Sequence, residues 1–131
     1  MLSKGHAMTP EQQIIQNTNC RFSMSVRNKY FEMIKSGAKD IELRPYDAKR
    51  QQIKTGDKFV LFDAENPTEY IVCQVLGMHV APDFETLFQT IDIRRAGFTS
   101  LDELKNTVLK FVSIEKLRNE QVVGLEIKRL R

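Results

Sequence analysis

Apolar residues in this chain recur at two different periods, and the switches between them fall at irregular intervals. Phe22, Met24 and Val26 alternate with Arg21, Ser23 and Ser25, the period of a half-buried strand. Asp40-Ile41-Glu42-Leu43-Arg44 alternates again, and so does Gln121–Leu130, with Val123, Leu125 and Ile127 on one face. Lys58-Phe59-Val60-Leu61-Phe62 and Tyr70–Val75 are apolar runs of strand length. The second is expected to run on towards Val80, with Gly77 as a bulge or bend. Helical stripes lie between them: Tyr30, Phe31 and Ile34, then Phe84, Leu87, Phe88 and Ile91, then Leu101, Leu104 and Val108. Strands and helices interleave without regular βαβ spacing, so the pattern predicts an α+β fold and not a doubly wound sheet. Five to six short strands close most readily into a small mixed β-barrel flanked by short helices.

Capping and turn residues set the boundaries. Thr9-Pro10-Glu11-Gln12 combines an N-cap, proline at the first helical position and a capping box, which predicts a short helix to about Gln16. Met1–Met8 has no pattern, so residues 1–19 read as an N-terminal extension and 20–131 as the domain. Asn28 is a candidate cap for the Tyr30 helix, and Gly37 stands where a left-handed C-cap belongs. Pro45 should stop the second strand at Arg44. Tyr46–Lys54 reads as a polar, basic loop or short helical turn, Gly56-Asp57 as a turn, and Ala64–Thr68 as another. Asp83 is expected to cap Phe84–Thr90, Ser100 and Glu103 form a second capping box, and Ser113 starts a last turn through Leu117.

The chain has 131 residues, enough for one hydrophobic core and too few for two independent ones. No apolar run is long enough to span a membrane, and the first residues lack an apolar signal segment. Cys20 and Cys73 are too few and too far apart for a disulfide framework or a zinc knuckle, so a cytoplasmic setting is expected. The net charge of +3 conceals a split. Residues 27–58 and 93–131 each carry nine basic and five acidic side chains, while residues 59–92 carry six acids and no Lys or Arg. One reading is an uneven solvated surface; the other is a face that attracts polyanions while another repels them.

The segment Gly37-Ala38-Lys39-Asp40-Ile41-Glu42-Leu43-Arg44 carries the sharpest chemical signal. On a strand, Asp40, Glu42 and Arg44 share one face while Ile41 and Leu43 point to the core. Lys39 lies at the helix-to-strand corner and can converge on the same spot. Arg grips phosphate bidentately, Glu accepts from base amino groups and Lys adds a point charge, so the trio can hold a base and a phosphate together. The plainer reading is a surface salt-bridge set. Arg27, Lys49 and Arg50 would form the basic approach, and Tyr46 is the stacking candidate.

The pattern G-x-K-x-x-E-x-R between a short helix and a strand, followed by Lys54-x-Gly56-Asp57-x-Phe59, resembles the ASCH domain family. So do the Tyr30-Phe31-x-x-Ile34-x-x-Gly37 lead-in and the final Val122-Val123-Gly124-Leu125-Glu126-Ile127 strand. The run Glu42-Leu43-Arg44-Pro45-Tyr46-Asp47-x-Lys49-Arg50 is similar to small stand-alone bacterial members. The resemblance spans Phe22 to Leu130. It implies a PUA-like barrel, a cleft lined by Lys39, Glu42 and Arg44, and RNA or a nucleoside or nucleotide as ligand, with no cofactor. Nothing in it assigns an oligomeric state.

The family mixes binding modules with enzymes, and the resemblance leaves both open. In one branch, amidohydrolases that deacylate a modified cytidine use a lysine base, a threonine nucleophile three residues later and a downstream glutamate. Lys39 and Arg44 match that pattern, but position 42 is Glu and not Thr. A carboxylate there could activate water with Lys39 stabilising an oxyanion. Glu85, Asp92, Asp102 and Glu103 are the candidate downstream acids; ribonuclease activity is a further alternative, and a protein-interaction module a third. His6 and His79 read as surface or satisfied histidines without metal-ligand spacing. Cys73 reads as core, and Cys20 has no nearby activator.

Overall fold

All five strands read from the sequence form, though the fourth starts four residues earlier than expected. In the computed structural model, which describes residues 7–131, these are β1 (Phe22–Val26), β2 (Ile41–Pro45), β3 (Lys58–Asp63), β4 (Asn66–Ala81) and β5 (Val122–Arg129). They build one sheet in the order β1-β3-β4-β5-β2. β1 runs parallel to β3, and the other pairs are antiparallel. The sheet curls into a half-barrel whose edge strands, β1 and β2, have no ladder between them. Helices α1 (Pro10–Asn17), α2 (Asn28–Ser36), α3 (Phe84–Leu87), α4 (Leu101–Val108) and α5 (Ile114–Asn119) flank it, with 3-10 turns at Arg50–Gln52 and Ile93–Ala96. His6 and most of the patternless leader lie outside the described residues.

Several boundaries move, each for a local reason. Asn28 is the first residue of α2 and not its cap: Arg27 holds the cap position without a side-chain bond. The Glu65 carboxylate does the capping from across the fold, accepting the Asn28 N–H at 2.7 Å, while the Asn28 side chain donates to Asp63. The turn after β3 is only Ala64-Glu65, because Asn66 already pairs with Asp63. α3 ends at Leu87 and not at Thr90, with Phe88 as its C-cap, and Asp92 then caps the following 3-10 turn through Arg94 N–H. The bulge in β4 falls one residue earlier than the glycine: Val75 pairs with Ile127 and Gly77 with Glu126, which leaves Leu76 as the extra residue. Pro45 sits inside β2 as its last residue, where the edge tolerates a missing donor.

Two hydrophobic cores lie on opposite faces of the sheet. Phe31, Phe59, Leu61, Val123 and Leu125 belong to the first. Ile41, Phe84, Leu87, Leu104 and Val122 belong to the second, which the later helices cover. Cys73 is fully buried in the first, and burial pushes its thiol up to about 12, so it is inert at neutral pH. Because Glu42 pairs with Leu125 and Arg44 with Val123, both charged side chains stand on the face of the first core, at the open edge of the half-barrel.

Candidate functional site

The site begins with the way α2 ends. Gly37 takes φ +88°, a left-handed conformation that a side chain would strain, and turns the chain back towards β2. The Lys39 N–H then bonds Met33 O at 3.0 Å, which fixes the corner and sends the lysine side chain inward. Lys39 is only 3% exposed. Its Nζ donates to Ile41 O at 2.7 Å and to Ala96 O at 2.5 Å, with Glu42 Oε1 at 3.3 Å, so the ammonium has an acceptor for each of its three protons. The Tyr30 and Phe98 rings lie 5.6 and 5.9 Å from the same nitrogen.

Glu42, 6% exposed, continues the chain of charge. Its Oε2 accepts from Arg44 Nε at 2.8 Å, and Arg44 Nη2 donates to Ser25 O in β1 at 2.9 Å. A guanidinium thereby spans the two edge strands where no backbone ladder does. Burial lowers the Lys39 pKa against the pull of Glu42. For Glu42, burial acts to raise the pKa, but the Arg44 and Lys39 charges and hydrogen bonds outweigh it and hold the carboxyl below its ordinary value. Glu42 and Arg44 do pair, as the plainer reading has it, but the pair is not a solvated surface feature.

These side chains open onto a cavity of about 550 Å³, within the range of small-molecule sites. Lys39, Glu42, Arg44 and Arg27 line it together with Leu104, Val108, Phe111, Val112 and Leu117 from α4, α5 and the segment joining them. Five of the seven residues singled out from the sequence line this space: Lys39, Glu42, Arg44, Arg27 and Arg50. Arg50 arrives paired with Asp47 at 3.0 Å, a carboxylate that also faces Lys116 at 3.5 Å. The structure does not bring the other two into the lining. Tyr46 packs against the first core, and Lys49 is exposed on the neighbouring turn. Sequence reasoning missed Tyr30 and Phe98 as pocket residues because each reads as an ordinary core aromatic. Phe111 carried no periodic signal, yet it is 63% exposed at the cavity rim.

None of Glu85, Asp92, Asp102 and Glu103 lines the cavity. Glu85 pairs with Lys105, Asp92 with Arg94, and Glu103 accepts from Thr99 N–H. His79 meets Glu126 at 3.2 Å, within a network that continues through Arg95 to Asp40. No group of three or more metal-ligating side chains clusters among the described residues.

Gly97 guards the lysine pocket. It has φ +90°, and a Cβ there would stand 3.3 Å from Lys39 Cδ and 3.4 Å from Met33 Cε. Gly97→Ala is expected to cost about 1–2 kcal/mol from the left-handed backbone alone, with crowding of Lys39 adding to it. Urea denaturation of the variant checks this, and an unchanged midpoint would contradict the tight seat described for Lys39.

A curled five-stranded mixed sheet with flanking helices defines a PUA-like α+β fold. The ASCH domain family model matches residues 24–128, and the chain belongs to that family. The hypothetical protein PH0355 is similar at 30% identity, covering 83% of this chain and 98% of its own, with TM-score 0.72. Protein PF0455 from Pyrococcus furiosus is similar at 28% identity, covering 84% of this chain and 97% of its own, with TM-score 0.65. The ASCH domain from Lactobacillus crispatus shares the fold at 12% identity and TM-score 0.62, covering 95% of this chain and 97% of its own. No protein of curated function matches the chain. The family is generally linked to RNA binding. No helix among the described residues is long and apolar enough to cross a membrane.

Proposed function

We propose that the chain binds RNA by taking a base or nucleoside into the cavity beside Lys39, Glu42 and Arg44. The observation that carries this reading is a cavity lined both by charged side chains, Lys39, Glu42, Arg44 and Arg27, and by apolar and aromatic ones. A nucleobase needs both: flat apolar contact for its faces and hydrogen-bonding groups for its edge. Phe111, at the rim, offers an exposed ring for stacking. Lys39, whose pKa burial lowers, is the candidate base of the enzymatic alternative.

Filter binding to single-stranded RNA at low salt tests the reading. Arg27→Ala removes an exposed cation of the lining and is expected to weaken binding about tenfold. Loss of one phosphate contact would also lessen the salt slope by about 0.7. Arg44→Ala should weaken binding at least as much, because it also frees Glu42 to repel the ligand. Retention equal to wild type in both variants would remove the case for this cavity. Turnover of an acylated nucleoside that disappears in Lys39→Ala would establish the enzymatic alternative instead.

A further inference from the structure

A second hollow of about 330 Å³ adjoins the first, and the two share Arg27, Tyr30 and Thr107. Its other lining includes Lys29, Lys110 and Glu65. The two spaces differ in how their cations are used. In the main cavity, Lys39 and Arg44 are tied to Glu42, and Arg50 and Lys116 to Asp47. In the hollow, Arg27, Lys29 and Lys110 form no ion pair among the described residues. The one carboxylate there, Glu65, is engaged on the Asn28 N–H at 2.7 Å. The Tyr30 ring stands at the boundary, with Lys39 Nζ 5.6 Å from its centroid and Lys29 Nζ 5.7 Å.

We infer that the hollow is a phosphodiester subsite continuous with the base cavity, so that the ligand is a strand of at least two nucleotides and not a free nucleoside. This rests on the reading of the main cavity as a base site. The chemistry divides the labour: neutralised cations among apolar side chains suit a base, and unpaired cations across a shared boundary suit the adjoining phosphate. Arg27, common to both spaces, reaches the link between them. A free nucleoside fills the first space and leaves the cations of the second unsatisfied.

The test compares the common ribonucleosides with the dinucleoside monophosphates made from them, by titration calorimetry at low salt. For the wild type, the best dinucleoside monophosphate is expected to bind about tenfold more tightly than the best nucleoside. In the Lys29→Ala/Lys110→Ala variant that advantage should shrink to less than about twofold, with nucleoside affinity unchanged. Both side chains are exposed, and a thermal melt verifies the fold. The Lys29→Arg/Lys110→Arg variant should restore the advantage. Equal affinities for nucleoside and dinucleoside monophosphate in the wild type overturn this inference alone, as does an advantage that survives the double alanine variant. Absence of binding by every member of the panel overturns the base site with it.

Discussion

Replacing Glu42 by alanine is expected to cost about 3–5 kcal/mol of folding stability, a large share of the total a domain of this size possesses. The carboxylate is 6% exposed and stands between two cations. Removing it leaves the Lys39 ammonium buried with carbonyl acceptors only, facing the Arg44 guanidinium without an intervening negative charge. Burial already disfavours the charged lysine, and the Glu42 carboxylate is the principal compensation. Lys39→Met should be markedly less damaging. It removes the buried cation together with its desolvation penalty and leaves the Glu42–Arg44 pair intact, at the cost of two carbonyls losing a donor. The asymmetry is the informative part, and urea denaturation of the two variants measures it. If Lys39→Met proved the more destabilising, the description of Lys39 as a cation held in place by Glu42 would be wrong.

Acid is expected to erode the difference between wild type and Glu42→Gln. The folded-state pKa of Glu42 lies below its ordinary value of 4.5, so between those two values the unfolded chain binds more protons than the native one. Stability from this group is therefore fully present above the ordinary value and is lost as pH falls through the folded one. Other carboxylates with lowered values, Asp47 and Glu126 among them, steepen the acid limb in both proteins equally. Lys39 acts on the other side. Its lowered pKa means that stability rises as pH climbs from the folded value towards 10.5, so it contributes no alkaline loss. Urea midpoints measured from about pH 7 down to about pH 3 should show the gap between wild type and Glu42→Gln narrowing once pH falls below 4.5, where the unfolded chain takes up a proton that native Glu42 does not. A gap constant across that range would falsify the assignment of a depressed pKa to this carboxyl.

Strand parity alone placed Glu42 and Arg44 on one face, and the corner at Gly37 allowed Lys39 to join them. These relations are local, covering eight residues, and the sequence expresses them directly. What it did not express is whatever arrives from a distance. The Ala96 carbonyl that accepts from Lys39 lies 57 residues further on, and the Ser25 carbonyl that receives Arg44 belongs to another strand. Asp40 illustrates the limit. Parity puts it with Glu42 and Arg44, but it lies just before β2 and is claimed by Arg95 at 2.9 Å, so it leaves the cavity. Asn28 failed as a cap for the same reason, because a carboxylate 37 residues away reached the helix terminus first. Of the apolar lining, Leu104 and Val108 were legible only as part of a helical stripe, and nothing in a stripe tells which residues cover a core and which face an opening.

The placement of β5 has a consequence for how the molecule comes apart. Val122 belongs to the core on one face of the sheet and Val123 to the core on the other, and the strand is hydrogen-bonded on both sides, to β4 and β2. A strand shared in this way couples the two cores into a single cooperative unit: neither can be dismantled while the other keeps its packing. β2 hangs on that same strand, so the charged seam has no independent melting unit of its own. Its geometry depends on β5, so the side chains of the seam are tied to the sheet and not to a loop that could loosen first.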